Sequence, residues 1–307
     1  GRIQVFDART HVEKWAWATP HRIVRDLAFT ADGSCLASAG DDGAVQLHPL
    51  GGAAAEDGAD AHGDDRRPSR EKKTGSEQAV RCLSRFRELR ISPRPVWDVE
   101  FLSDGKTLAA CSEDGVIHIV RCEDGAEQCR IESPDEKINA MAIAPDGTWL
   151  VTGGEDGGIG IWEVANGRCL HRFAKDNPKQ IKVVALSNDG HRLATGGTDK
   201  QVQIWDIRDR ASPRMLLQGE HYDRIQALVF SADARTLAAC DKSGSLRLWS
   251  VPAAGESVVD SPPARVWQAH DGRANSVAFH PAKNELASAG QESHIAIWDL
   301  ASRVEQR

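Results

Sequence analysis

The sequence contains no apolar run of the roughly 18 residues that a membrane-spanning helix needs. It also lacks an excess of positive charge, because 38 Lys and Arg residues stand against 45 Asp and Glu residues and the formal net charge is −7. An acidic balance of this kind argues against a dedicated nucleic-acid-binding protein. We therefore expect neither nucleic acid nor a membrane among its partners.

The sequence also lacks a cysteine pattern. Its seven cysteines are Cys35, Cys82, Cys111, Cys122, Cys129, Cys169 and Cys240. Cys122 and Cys129 are too far apart for a CxxC redox or zinc pair, and no cluster of His residues accompanies them. Cys111 and Cys240 stand at a repeat position that other units fill with Ala or Gly, so we interpret them as small buried apolar residues in a reducing, cytoplasmic environment. No metal or other cofactor is predicted.

Residues 183–206, VVALSNDGHRLATGGTDKQVQIWD, read as three short strands joined by two tight turns. The Asn-Asp-Gly at 188–190 favours a turn, because glycine takes a positive φ without steric cost. The last strand alternates polar and apolar residues and ends with Trp-Asp. One such unit cannot bury its apolar faces alone, so we expect it to pack against similar units.

Five further units share the spacing of this stretch without gaps. The first strands end in Phe29, Phe101, Ile143, Leu186, Phe230 and Phe279. A leucine follows after seven residues, at Leu36, Leu108, Leu150, Leu193, Leu237 and Leu286. Nine residues later come Val45, Ile117, Ile159, Val202, Leu246 and Ile295. Apart from one insertion, the units repeat every 42 to 49 residues, a period that indicates the four-stranded blades of an all-β propeller.

The two ends of the sequence fall inside the repeat. Residues 1–19 match the last two strands of a blade, with Phe6 in the place of the Trp, and the sixth unit stops as its fourth strand begins. We therefore expect six blades plus an N-terminal half blade. The sequence is interpreted as a single propeller over residues 1–307, truncated at both ends, with seven blades in the intact protein or as part of a double propeller.

The repeated segments resemble WD repeats. The resemblance rests on FTADGSCLASAGDDGAVQL, IAPDGTWLVTGGEDGGIGIWE, LSNDGHRLATGGTDKQVQIWD and FHPAKNELASAGQESHIAIWD, and it covers nearly the whole chain outside one insertion. The insertion, residues 51–79, has no aliphatic residue larger than Ala and many charges of both signs, so it is predicted to be a disordered loop. The resemblance implies a β-propeller that holds other proteins together.

The resemblance also implies a hydrogen-bonded chain in each blade, from a Trp through a Ser or Thr to a His and an Asp. The residues that match are the tryptophans Trp162, Trp205, Trp249 and Trp298, the hydroxyls Ser38, Thr152, Thr195 and Ser288, the acids Asp42, Asp114, Asp156 and Asp199, and the histidines His221 and His270. Glu292 replaces the acid in the sixth unit. Because His, Asp and Ser recur from blade to blade, we interpret them as structural and predict no enzyme activity.

A second set of residues flanks the first core residue of each inner strand, where the family's side chains face the narrow end of the ring and its partners. The set, here called the collar, comprises Arg25, Trp97, Lys137, Asn139, Lys182, Arg224, Gln226, Arg273 and Asn275. Five of the six units contribute a cation, although the chain is acidic overall. An aromatic residue surrounded by arginines is typical of an interaction hot spot. We expect the collar to bind an acidic peptide or protein segment.

The sequence therefore predicts a non-catalytic interaction scaffold and does not indicate its oligomeric state. Two alternatives remain open at this point. One is a sensor or autoinhibitory propeller at the C-terminal end of a larger bacterial signalling ATPase or kinase. The other is a propeller enzyme, which the sequence supports poorly because no single loop gathers histidines and carboxylates.

Overall fold

The computed structural model describes residues 1–10, 12–50, 87–134, 137–174, 179–253, 255–256, 261–292, 294–301 and 304–306. All regular elements in these ranges are β-strands, and none is a helix that could cross a membrane. The predicted loop at residues 51–79 lies outside the described residues.

Six antiparallel sheets of four strands follow one another along the chain. Blade 1 consists of β3 (Val24–Phe29), β4 (Cys35–Gly40), β5 (Ala44–Pro49) and β6 (Arg87–Arg90), and blade 2 of β7 (Val96–Phe101), β8 (Thr107–Ser112), β9 (Val116–Arg121) and β10 (Glu127–Glu132). Blade 3 consists of β11 (Ile138–Ile143), β12 (Trp149–Gly154), β13 (Gly158–Glu163) and β14 (Cys169–Ala174), and blade 4 of β15 (Ile181–Leu186), β16 (Arg192–Gly197), β17 (Gln201–Asp206) and β18 (Arg214–Glu220). Blade 5 consists of β19 (Ile225–Phe230), β20 (Thr236–Asp241), β21 (Ser245–Ser250) and β22 (Arg265–Gln268), and blade 6 of β23 (Ala274–Phe279), β24 (Glu285–Gly290), β25 (Ile295–Asp299) and β26 (Val304–Gln306).

A separate two-stranded sheet precedes blade 1. It pairs β1 (Arg2–Phe6) with β2 (Glu13–Ala18), the two strands that the repeat assigns to the outer half of a blade. The prediction of an all-β propeller with six four-stranded blades is confirmed, and this sheet matches the predicted half blade.

The turns between strands impose a left-handed backbone at fixed positions. Gly190 has φ 68° in the first turn of blade 4, and Ala234 occupies the equivalent position of blade 5 with φ 56°. In the second turn of blade 4 the left-handed residue is Lys200, with φ 66°. The turn geometry is therefore kept even where the sequence has no glycine, because the strand pairing on both sides requires it.

The core lies between neighbouring blades. In blades 2 to 6 the inner strand packs against strands of the blade before it; for example, Val99 of blade 2 shares a cluster with Val45 and Leu47 of blade 1. Most cysteines belong to this core, with Cys35, Cys111, Cys122 and Cys240 buried. Burial of Cys111 and Cys240 agrees with the prediction for their repeat position, and Cys169 is exposed on an outer strand.

Candidate functional site

The collar lies where the inner strands of successive blades begin. Ile138, Ile181 and Ile225 are fully buried at the start of β11, β15 and β19. The pairing register shifts directly after each isoleucine, and the residues on both sides of it are half-buried. The inner strands lie side by side around the ring from β3 to β23, so the flanking side chains of different blades form one surface.

Two collar residues form a stacked pair between blades 1 and 2. The Arg25 guanidinium lies over the Trp97 ring, 4.4 Å from its centroid. A guanidinium in this position is attracted by the ring's electron density while its N–H groups remain available to a partner. The Ile23 amide donates to Asp41 Oδ1 at 2.9 Å, and this bond together with the charge of Arg25 lowers the pKa of Asp41.

Blades 3 and 4 contribute a hydrogen-bonded group. Lys182 Nζ donates to Asn139 Oδ1 at 3.2 Å, and Asn139 Nδ2 donates to the Ile181 carbonyl at 3.0 Å. Lys137 Nζ lies 3.5 Å from Glu155 Oε2. Partial burial lowers the pKa of Lys182, as do the charges of Arg224 and Lys137, whereas Glu155 raises it. Lys137 and Arg224 therefore both lie within electrostatic range of Lys182.

The collar cations of blades 5 and 6 have spare hydrogen-bonding capacity. The Nε atoms of Arg224 and Arg273 are shielded from solvent and have no hydrogen-bond partner among the described residues. Gln226 is half-buried and Asn275 is exposed, each one residue beyond the first core residue of its inner strand. The structure thus joins Arg25 to Trp97 and groups Lys137, Asn139, Lys182 and Arg224, with Arg273 and Asn275 continuing the surface on blade 6.

A row of half-buried carboxyl groups on the inner strands was not identified from the sequence. Asp26 Oδ2 accepts from the Val99 amide at 3.0 Å, and Asp98 Oδ2 accepts from the Met141 amide at 2.8 Å. Glu100 accepts from the backbone of blade 3 in the same way. Each carboxyl group therefore links its inner strand to that of the next blade. The alternation of Asp and Glu with apolar residues in β7 was the only available signal.

Burial dominates the ionisation of these groups. Desolvation raises the pKa of Asp26, Asp98 and Glu100, for Glu100 to about 8, and the mutual repulsion of the carboxylates raises those of Asp98 and Glu100 further. Because a neutral carboxyl group can donate as well as accept, this row is suited to hold the inner strands together rather than to provide an exposed negative charge.

The hydrogen-bonded chain from Trp to acid is complete in blade 6. Trp298 Nε1 donates to Ser288 Oγ at 2.9 Å, Ser288 Oγ lies 2.9 Å from His270 Nε2, and His270 Nδ1 lies 3.0 Å from Glu292 Oε2. Blades 3 and 4 contain the first bond of this chain. There Trp162 Nε1 donates to Thr152 Oγ1 at 2.9 Å, and Trp205 Nε1 to Thr195 Oγ1 at 3.3 Å.

His21 of blade 1 also occupies the histidine position, which the sequence spacing assigned only to His221 and His270. His21 is fully buried, with Nδ1 2.7 Å from Asp42 Oδ1 and Nε2 3.3 Å from Ser38 Oγ. The Ser38 hydroxyl also lies 3.1 Å from His48 Nε2, so His48 occupies the place of the Trp. The repeat spacing did not reveal His21, because this residue precedes its inner strand by one residue fewer than His221 and His270 precede theirs.

Blade 5 shows a different departure. His221 Nδ1 lies 3.0 Å from Asp241 Oδ2, but Ala239 stands where blades 1, 3, 4 and 6 have a hydroxyl residue. As a result, His221 Nε2 and Trp249 Nε1 are buried without a hydrogen-bond partner among the described residues, although their rings lie 5.0 Å apart.

The remaining turn acids have local roles. Asp114 accepts from Ser92 Oγ at 3.1 Å and from Ser112 Oγ. Asp156 pairs with Arg172 at 2.7 Å, and Asp199 accepts from the Gln201 amide at 3.2 Å. These contacts fix the second turns and outer strands of their blades.

The grouping of serine, histidine and aspartate in blade 1 does not resemble an accessible catalytic centre. In the arrangement of Ser38, His21 and Asp42, the serine and histidine are fully buried, so no substrate reaches the hydroxyl. Within the described parts of the chain, no three His, Cys, Asp or Glu side chains are grouped so as to hold a metal ion.

Comparison with protein families gives two matches. The family model for the N-terminal domain of nucleolar protein 10-like proteins, a β-propeller, matches residues 82–270, more than half of the chain. The model for the WD domain, G-beta repeat, matches residues 17–48 and 261–299. Together the two models cover most of the propeller.

Individual relatives are longer proteins. Periodic tryptophan protein 2 of Saccharomyces cerevisiae is 34% identical over 227 residues, 72% of this chain and 23% of that protein. Apoptotic protease-activating factor 1 of Rattus norvegicus is 25% identical over 212 residues, 68% of this chain and 16% of that protein. Ribosome biogenesis protein ERB1 of Debaryomyces hansenii is 47% identical over 45 residues, 14% of this chain and 6% of that protein. The chain spans less than a quarter of the length of each of these relatives.

Proposed function

Because this chain belongs to the WD-repeat β-propeller family, we propose that it is a non-catalytic scaffold that captures an acidic segment of a partner protein on the collar. Relatives that include a ribosome biogenesis protein support the general role of a protein-interaction scaffold. The specific site rests on the structure of the collar.

Two observations carry the proposal, the stacking of Arg25 on Trp97 and a separate group of cations on blades 3 to 5. Arg25 is held on the Trp97 ring, and Lys182 is close enough to Lys137 and Arg224 for their charges to lower its pKa. Carboxylates of a partner would relieve this repulsion and would pair with the guanidinium groups of Arg224 and Arg273. Arg25 and Trp97 would provide an anchor of the kind found at hot spots.

The test measures binding of a defined probe, a fluorescein-labelled twelve-residue peptide that alternates Asp and Glu with Gly and Ser and contains one Leu. The double variant Trp97→Ala, Arg224→Ala is expected to weaken binding by about tenfold or more, because truncated hot-spot residues cost roughly 2 kcal/mol or more. Binding should also fall as salt concentration rises, since the collar cations are near the surface.

A matched control uses Arg235→Ala. Arg235 is an exposed arginine in the turn that follows β19, whereas Arg224 immediately precedes β19, so the two arginines lie at opposite ends of this strand. The proposal predicts that this variant binds the peptide as the parent protein does. Equal affinity of the parent and the collar double variant, for the peptide and for every protein that the parent captures, would disprove the proposal.

The other expectations are weighed by the same experiment. A single-stranded RNA of equal charge serves as competitor, and binding of the RNA in preference to the peptide would contradict the prediction that the partner is not a nucleic acid. The alternative of a sensor domain in a signalling ATPase or kinase is not favoured by these relatives. A cytoplasmic location stays a prediction, and imaging of a fluorescent fusion decides between the cytoplasm and the nucleolus named for the matching family.

A further inference from the structure

Arg25 and Trp97, the stacked pair of the collar, stand at the same place in their inner strands. The register shifts directly before Asp26 where β3 pairs with β4, and directly before Asp98 where β7 pairs with β8. Arg25 and Trp97 are therefore each the extra residue of a β-bulge, a feature that redirects a side chain. The relative position of the two bulges decides whether the guanidinium lies over the indole ring.

The residue that follows the bulge distinguishes blades 1 and 2 from the blades after them. It is Asp26 in blade 1 and Asp98 in blade 2. In blades 3 to 6 the residues at this repeat position are Ala140, Val183, Ala227 and Ser276. A carboxyl group therefore follows the bulge in the two blades whose bulge residues stack on each other.

These two carboxyl groups connect neighbouring inner strands one residue away from the stacked pair. Asp26 accepts from the Val99 amide of blade 2, and Asp98 accepts from the Met141 amide of blade 3. The side chains of Asp26 and Asp98 are also hydrogen-bonded to each other. Such a bond requires one of the two groups to carry a proton, because an ionised carboxyl group is an acceptor only.

The surroundings favour one shared proton. Both carboxyl groups line a cavity of about 490 Å³ together with Glu100, and among the described residues that line it none is Lys, Arg or His. The Cys111 thiol on β8 is a further titratable group beside them, and burial and the charges of Asp98 and Asp26 raise its pKa. Burial, followed by the charges of Asp26 and Glu100, raises the pKa of Asp98 well above its usual value, so Asp98 keeps the proton.

We propose that the proton shared by Asp26 and Asp98 positions the stacked pair of the collar. With the proton in place, a hydrogen bond holds β3 and β7 at the spacing that brings Arg25 over the Trp97 ring. Loss of the proton leaves two carboxylates that repel each other at close range, which separates the two bulges and the side chains on them. The effect on partner binding rests on the function proposed for the collar, whereas the positioning itself is measurable on the free protein.

The first measurement therefore needs no peptide. The protein is labelled with 5-fluorotryptophan, and the fluorine resonance of Trp97 is assigned by its absence from Trp97→Phe. In the parent protein this resonance should shift in a titration step as the pH rises from about 5 to 10, because the Arg25 guanidinium leaves the ring. Asp98→Asn should remove the step, since its amide donates to Asp26 and accepts from the Met141 amide at every pH.

The second measurement uses the acidic peptide that serves as probe of the collar. Below the titration step Asp98→Asn should bind the peptide as the parent does, because the amide reproduces the protonated carboxyl group. Above the step the parent should bind about fivefold more weakly than Asp98→Asn at the same pH, the effect of losing a cation–π contact. Comparison at equal pH cancels the contribution of Lys182, whose lowered pKa also weakens binding as the pH rises.

Glu100→Gln is the matched control. Glu100 lies two residues further along β7, lines the same cavity and accepts from the Ile143 amide in the way that Asp98 accepts from Met141, but no bulge residue precedes it. The variant should keep the full amplitude of the Trp97 step. The step should move to lower pH, because the charge of Glu100 that raises the pKa of Asp98 has been removed.

Three outcomes would overturn the proposal. They are a Trp97 resonance without a titration step, a step that Asp98→Asn leaves unchanged, and a step that Glu100→Gln abolishes. Failure of the acidic peptide to bind the parent at any pH would instead disprove the function proposed for the collar. In that case the Trp97 step would still decide whether the carboxyl pair positions Arg25.

Discussion

Replacing Ala239 by serine should stabilise the protein by supplying a hydroxyl that blade 5 lacks. His221 Nε2 and Trp249 Nε1 are buried and have no hydrogen-bond partner among the described residues. Burial lowers the pKa of His221 against the opposing effect of Asp241, so the imidazole is neutral at pH 7. Its Nδ1–H faces Asp241, which leaves Nε2 as an acceptor. A serine hydroxyl can donate to this acceptor and accept from the indole, as Ser288 is placed to do in blade 6.

The magnitude follows from the two groups that gain partners. A hydrogen bond contributes about 0.5–1.5 kcal/mol, and a buried group left without one costs about 1–3 kcal/mol. After allowance for burying the hydroxyl itself, we expect Ala239→Ser to raise the free energy of unfolding by about 1–2 kcal/mol. In a chain of this size that corresponds to an increase of about 2–4 °C in melting temperature.

The assay is urea unfolding followed by tryptophan fluorescence, with thermal unfolding as a second measure. Ala238→Ser is the control, because Ala238 is also fully buried and its side chain points to the other face of β20. That variant buries a hydroxyl away from His221 and Trp249 and should lose stability. An Ala239→Ser variant no more stable than the parent, or equal to Ala238→Ser, would refute the reasoning.

Three further perturbations test the energetics of the ring. Burial raises the pKa of Glu100 from 4.5 to about 8, so between these values the folded protein holds a proton that the unfolded chain releases, and stability falls as pH rises. Glu100→Gln should flatten the dependence of the unfolding free energy on pH between 5 and 8, as measured by urea unfolding, and an unchanged slope would contradict the assignment. Burial, with the charge of His21, lowers the pKa of His48 from 6.5 to about 4, so the unfolded chain takes up the proton first and stability falls as pH drops through this window. His48→Asn should remove that part of the acid sensitivity in melts at pH 7, 5.5 and 4.5; equal acid sensitivity in both proteins would count against it. Trp249→Ala should cost about 3–5 kcal/mol because the side chain is fully buried, and Trp205→Ala should cost less because its side chain is half-buried; the reverse order in urea unfolding would show that packing at these sites is misjudged.

The repeat pattern was sufficient to predict the fold because each blade is specified locally. The spacing from Phe29 to Leu36 and Val45 recurs at every blade, and tight turns join strands that pair with their sequence neighbours. When strands pair with their sequence neighbours, few other strand pairings are possible. The six sheets could therefore be assigned from the sequence. The same spacing located the tryptophans and their hydroxyl partners, which lie ten residues apart on paired strands.

The tertiary structure was needed to find two kinds of feature. One kind is shifted by a residue within the repeat, and the other depends on contacts between blades. His21 enters its network although its spacing differs from that of His270, because the loop before β3 adjusts by one residue. Nothing in the sequence distinguishes Asp26, Asp98 and Glu100 from other strand residues. Their carboxyl groups accept hydrogen bonds from backbone amides of the next blade, and these bonds require neighbouring inner strands to lie side by side.

The sequence by itself therefore determined the blades, their order and the residues that each blade turns toward its neighbours. The tertiary structure decided which of those faces are covered. Ile295 and Leu27 occupy repeat positions that are buried in the other blades, and no local pattern distinguishes them. Both residues line the cavity between the half blade, blade 1 and blade 6. This cavity is formed by parts of the chain almost 300 residues apart in the sequence.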